Sequence, residues 1–110
     1  MAKKEDDFYL VKFDPPYNFE GTEYKELDLS GIKDLSGKDL READMEFMES
    51  GQRTLAKEMS AGYAFIIAGR AIKKPALFFD DMPIIKANEV VAIVSSFLLD
   101  VVSIVEKARR

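Results

Sequence analysis

EVVAIVSSFLLDVVSIVEKARR, Glu89 to Arg110, closes the chain, and its reading decides the fold. The ten residues from Val90 to Leu99 carry no charge, and valine and isoleucine dominate. Three structures compete for it: a membrane span, one or two strands, or a helix. A span needs about 20 mostly apolar residues. Ser95, Ser96 and Asp100 interrupt the run well before that length. Two strands need a turn, yet no glycine or proline occurs from Ile84 to the end. The helical alternative is tested by angle, at about 100° per residue. With Glu89 at zero, Ser96, Asp100, Ser103 and Lys107 fall within about 40° of it, and Asn88, Ser95 and Glu106 form a shoulder. The polar residues share one arc of about 140°. The stretch reads as a helix over 84–107.

That helix carries more apolar surface than a one-sided amphipathic helix requires. Between Ile84 and Val105, 15 of 22 residues are apolar, and Leu99 lies inside the polar arc. A central helix wrapped by its own domain accounts for this. So does a second face buried against a sister subunit or a client.

Upstream, the chain reads as α+β, with an N-terminal hairpin or small antiparallel sheet packed on three helices. FYLVKF, Phe8–Phe13, alternates, with Tyr9, Val11 and Phe13 on one face. Asp14-Pro15-Pro16 is expected to break the strand, since proline donates no ladder hydrogen bond. YNF, a turn at Glu20-Gly21-Thr22 and EYKELDL then form a hairpin. The β segment covers 8–30.

A helix over 36–50 has legible ends. Ser36 with Asp39 three residues on is an acidic variant of the capping box, and Gly51 is a stop. Its apolar stripe is Leu40, Ala43, Phe47 and Met48. Another helix is expected over 53–72, with Leu55, Met59, Tyr63, Ile66 and Ile67 on one face. Beside them runs a small-residue strip of Ala61, Ala64, Ala68 and Ala71. Gly62 and Gly69 suggest close packing, because glycine otherwise costs a helix about 1 kcal/mol relative to alanine. Lys73-Lys74-Pro75 ends it. In ALFFDDMP, Leu77, Phe78 and Phe79 are expected to plug the gap between helices, with Asp80 or Asp81 capping the last helix and Pro83 in its first turn.

Length and composition indicate one domain over 8–110, behind a disordered 1–7. The charged opening MAKKEDD has no apolar core of a signal peptide. The chain has no cysteine and no histidine, which excludes disulfides, thiolate or imidazole metal sites, and serine–histidine catalysis. Net charge is −4, split as −7 over residues 1–50 and +3 over 51–110. The acidic front half argues against nucleic acid as a partner. Paired carboxylates occur at Asp80-Asp81, Asp6-Asp7 and Asp44/Glu46, and read better as caps and solvated charge than as catalytic pairs. No glycine-rich phosphate loop is present. The expected protein has no catalytic residues, no cofactor and no metal.

The order of elements and three phrases resemble the tail assembly chaperones of long-tailed bacteriophages and prophages. The phrases are YNFEGTEYKELDLSGI, the helix start LSGKDL, and KKPALFFDDMPIIKANEVVAIVSSFLL, which ends in a Phe-Leu phrase at Phe97-Leu98. The resemblance covers about residues 10–100. It implies a non-enzymatic protein of the host cytoplasm, absent from the mature virion. Such a protein binds and solubilises the helical tape measure protein during tail morphogenesis. Homo-oligomers, and contact with the tail tube protein, are implied as well. No family site residues transfer, because the family has no sharp motif.

The residues themselves agree in kind. A holder of an apolar helix needs apolar faces of its own. The candidates for partner or self contact are Val91, Val94, Leu98, Leu99, Val101, Val102 and Val105 on the last helix, with Tyr63, Ile66 and Ile67 on the one before. Met45, Met48, Met59 and Met82 offer adaptable contacts, although core filling is the better explanation of any single one. Two other functions fit the same sequence. One is a small tail or head-completion subunit that stays in the virion. The other is an acidic regulator that binds a cationic partner in a salt-sensitive way.

Overall fold

Phe78 is the point at which the two ends of the domain meet. Its ring is fully buried and contacts Tyr17, Phe19, Tyr24 and Phe79 at centroid distances of 4.7–5.5 Å. Three of these rings belong to the hairpin, so the connector before the last helix is pinned to the N-terminal strands. The Tyr17 hydroxyl completes the joint by donating to the Phe78 carbonyl at 2.5 Å. Burial of this many rings contributes more than their area alone, since edge-to-face pairs add about 0.5–1.5 kcal/mol each.

The computed structural model describes residues 8–51 and 60–108, with side chains through Leu99. Strands β1 (Leu10–Phe19) and β2 (Thr22–Asp28) form a two-stranded antiparallel sheet. A 3-10 helix follows at Leu29–Asp34, then α1 at Gly37–Glu49 and α2 at Ala61–Ile72. A second 3-10 helix, Ala76–Phe79, leads into α3, Ile84–Ala108. The α+β expectation holds, and the closing stretch is a single helix.

The prolines do not end the first strand. β1 continues through a cis Asp14-Pro15 bond to Phe19, and the pairing register shifts between Lys12 and Tyr17. Lys12 pairs with Glu26 and Tyr17 with Tyr24, so five steps in β1 oppose two in β2. The prolines sit in this bulge, where no ladder bond is asked of them. The same bulge explains the imperfect alternation of EYKELDL. Leu27 is buried and Tyr24 packs on Phe78, three residues apart rather than two or four. Glu20 and Gly21 turn the hairpin with positive φ.

The 3-10 helix at Leu29–Asp34 replaces the end of the expected β segment. Asp28 caps it, its carboxylate accepting from the Ser30 amide at 2.9 Å, and Leu29 and Ile32 are buried. α1 starts as expected. The Ser36 hydroxyl accepts from the Asp39 amide and the Asp39 carboxylate accepts from the Ser36 amide. Gly51, at φ 85°, follows its last turn. Its stripe is narrower than expected: Ala43 and Phe47 are buried, while Leu40 and Met48 are exposed.

α2 begins at Ala61, because Ser60 is extended and caps the helix by accepting from the Tyr63 amide. The expected start at Arg53, and with it Leu55 and Met59, lies outside the described residues. So does the segment 1–7. α2, not α3, is the central helix. It packs against α1, α3 and both 3-10 helices. Its small residues permit this. A Cβ on Gly31 would sit 2.9 Å from the Ala71 carbonyl oxygen, so the first 3-10 helix rests directly on the α2 backbone. Gly69 has a different partner: a Cβ there would meet the Lys74 carbonyl oxygen at 2.5 Å, inside the turn that ends the helix. Lys73 adopts the left-handed conformation in that turn, and the Lys74 amide donates to the Gly69 carbonyl at 2.8 Å.

The start of α3 differs in detail from expectation. The Pro83 carbonyl accepts from the Ala87 amide at 2.9 Å, which makes Pro83 the capping residue rather than part of the first turn. In the connector, Phe78 and Phe79 are buried as expected, but Leu77 is 56% exposed. A 3-10 turn has three residues per turn, so Leu77 cannot share the inward side with both neighbours.

Candidate partner-binding surface

α3 divides into two arcs. Val90, Ile93 and Val94 are buried, and Ala87, Val91, Phe97 and Leu98 are partly buried against the same core. Asn88 and Ser96 are exposed on the opposite side. Of the polar arc read from the sequence, these two are exposed and Glu89 and Ser95 are half-buried. Along it runs an apolar seam. Ile85, Ala92 and Leu99 are all exposed, each seven residues from the next. Seven residues are nearly two turns, so the three fall within about 40° of one another. Ile84 and Ile85 are 77% and 71% exposed, and Leu99 is 46% exposed. An apolar residue at every seventh position supplies one of the two apolar positions per heptad of a helix–helix seam; the other, at Asn88 or Glu89 and at Ser95 or Ser96, is polar.

The residues named from sequence as partner contacts separate on this basis. Tyr63, Ile66, Ile67 and Val94 belong to the domain core and do not reach the surface. They are core because α2 is enclosed on several sides and Val94 lies on the inner arc of α3. Val91 and Leu98 are half-buried at the edge of the core, and Leu99 is exposed. Val101, Val102 and Val105 lie within α3, beyond the described side chains. Ile84 and Ile85 are surface residues that the sequence reading misses. They stand at the start of the helix, and angles counted onward from Glu89 give them no weight. Among the methionines, Met82 fills core, whereas Met45 and Met48 are exposed on α1.

One electrostatic cluster ties α1 to α2. Arg70 donates to Asp39 Oδ1 through Nε at 3.2 Å and Nη2 at 3.0 Å, and Nη2 also donates to Glu42. Asp39 Oδ2 is occupied by the Ser36 amide and hydroxyl. The Ser36 amide, and after it Arg70, hold the Asp39 carboxyl below its ordinary range. Hydrogen bonding to Asp39 raises the Arg70 pKa in turn. Lys33 and Lys74 lie over the rings of Tyr9 and Tyr24, at 5.1 and 5.7 Å from their centroids. A shallow open depression between β1 and α3 is lined by Leu10, Lys12, Lys86 and Glu89, with Lys86 paired to Glu89 at 3.1 Å.

Of the carboxylate pairs named from sequence, two fall among the described residues. Asp80 and Asp81 are exposed at the end of the connector, and their charge is felt by the Tyr17 hydroxyl, whose pKa is raised first by burial and then by these two neighbours. Asp44 and Glu46 lie on α1, and Asp6-Asp7 fall outside the described residues. Among the described residues no group of carboxylates is placed to hold a metal ion, and no helix is long and apolar enough to cross a membrane. Comparison with protein-family models, curated proteins and solved structures returns no match.

Proposed function

We propose that this protein is a non-enzymatic helix holder that works as a phage tail assembly chaperone, keeping the tape measure protein soluble while the tail is built. The single observation that carries the reading is the apolar seam of Ile85, Ala92 and Leu99 on the solvent face of α3. A client helix with an apolar stripe docks on such a seam by helix-to-helix packing and needs no pocket. The exposed Met45 and Met48 add side chains that adapt to varied apolar partners. The resemblance of the hairpin and connector phrases to tail assembly chaperones supplies the identity of the client.

The test is co-expression with the tape measure protein encoded in the same genome. The expected result is a soluble tape measure that co-purifies with this chain. An insoluble tape measure, absent from the purified fraction, overturns the reading. A structural subunit is separated from a chaperone by mass spectrometry of purified virions, where a chaperone is missing.

A further inference from the structure

We infer that the face of α2 beneath α1 is a second docking site for an acidic amphipathic helix, and that α1 is its resident, displaceable occupant. The inference deepens the helix-holding function and rests on it for the identity of the natural client.

α1 is lightly attached. Of its thirteen residues only Ala43 and Phe47 are buried, and α2 is the one element against which it packs extensively. Leu40, Met45 and Met48 face away from the core. A helix of this length is marginal by itself and depends on its docking. The face of α2 that it meets is more enclosed: Tyr63 is buried, and Arg70 stands at one end. Tyr63 and Arg70 are seven residues apart on one line of α2, and α1 touches both. The Phe47 ring meets Tyr63 edge-on with centroids 5.6 Å apart, and Asp39 and Glu42 meet Arg70. Ile66 and Ile67 flank that line within about 60°.

The footprint of α1 therefore defines what fits. It runs antiparallel to α2, with carboxylates at positions i and i+3, a small residue at i+4 and an aromatic ring at i+8, supplied by Asp39, Glu42, Ala43 and Phe47. A partner helix with an acidic residue one to two turns ahead of a large apolar residue makes the same contacts. The charge of Arg70 sets its direction. Tyr63, which sequence analysis named as a partner contact, is then a contact of a site that is closed in the free protein.

The probe is a fluorescein-labelled peptide with the sequence Ser36–Gly51, added to the full chain, with hydrogen exchange followed on α1 by mass spectrometry. Ser36→Ala weakens the cap of α1 and leaves α2 untouched. It is expected to speed α1 exchange and tighten peptide binding by the same factor, about fivefold, because binding competes with closure. Arg70→Gln loosens resident α1 and the peptide alike, so it is expected to speed α1 exchange while leaving peptide affinity little changed. Peptide affinity that is equal in the wild type and Ser36→Ala, or α1 amides as protected as those of α2, overturns the inference. Peptide binding without tape measure binding leaves this site standing and removes the chaperone function. Tape measure binding without peptide binding does the reverse.

Discussion

Asp39 serves two helices at once: one carboxylate oxygen accepts from the Ser36 amide at 2.9 Å and the other from Arg70 at 3.0 and 3.2 Å. The first contact starts α1 and the second fastens it to α2. The folded state holds the Asp39 carboxyl below its ordinary value, through Ser36 first and Arg70 second. A carboxyl depressed by folding stabilises the fold above its unfolded pKa, and that stability is lost as pH falls through the folded value. Asp39→Asn is therefore expected to lower stability at pH 7, with the deficit shrinking below about pH 4. Urea unfolding of both proteins across this range checks it. A deficit that stays constant down to pH 2 removes Asp39 ionisation from the account.

Phe78 and Leu77 are adjacent and have opposite surroundings. Phe78→Ala removes a ring that touches four others and is expected to cost about 3–5 kcal/mol. Leu77→Ala, at a side chain 56% exposed, is expected to stay within about 0.5 kcal/mol. Chemical denaturation of the pair measures both. Equal effects contradict the placement of the connector.

The Tyr17 hydroxyl is the polar link in the aromatic joint. Tyr17→Phe strands the Phe78 carbonyl and is expected to cost about 1–2 kcal/mol. The raised pKa of Tyr17 adds a second readout. Its stabilising effect is complete below the unfolded tyrosine value near pH 10 and is lost as pH rises through the folded value. Ultraviolet titration is expected to show a late-ionising phase that shrinks in Tyr17→Phe. A late phase of the same size in wild type and Tyr17→Phe contradicts it.

Glycine-to-alanine changes within helices usually stabilise by up to about 1 kcal/mol. Gly69 is expected to break that rule, since a Cβ there meets a backbone oxygen at 2.5 Å. Gly69→Ala is expected to destabilise by about 1–3 kcal/mol through the forced shift of the Lys73–Lys74 turn. Gly37→Ala, with open space at its Cβ, is expected to be neutral or stabilising. Thermal unfolding of both variants decides the sign.

Local chemistry makes much of this fold readable. The Ser36–Asp39 box, the Gly51 stop and the single helix after Ile84 follow from short-range rules, and each stands in the structure. The errors arise where distance in sequence matters. Pro15 and Pro16 read as a terminus because a strand bulge depends on the partner strand, which a linear reading does not place. The Asp28 cap on Ser30 carries a local signal, an aspartate two residues before the amide that donates to it, which marks the first 3-10 helix. The Arg70–Asp39 pair spans 31 positions and carries no local signal. Tyr63, Ile66 and Ile67 have the right apolar character for contact, but character does not distinguish a core face from a docking face. The same ambiguity conceals Ile84 and Ile85, whose exposure depends on how α3 meets β1 and α2.

The seam on α3 is the centre of the functional account, and one measurement tests it most directly. Ile84→Ser, Ile85→Ser and Leu99→Ser are combined in one chain, and its affinity for the tape measure protein of the same genome is compared with that of the wild type. Each side chain is well exposed, so the thermal midpoint is expected to change little. The account predicts tape measure binding weaker by at least about tenfold, as the loss of roughly 1.4 kcal/mol of apolar contact requires. Unchanged binding in the triple variant, with the fold intact, contradicts it.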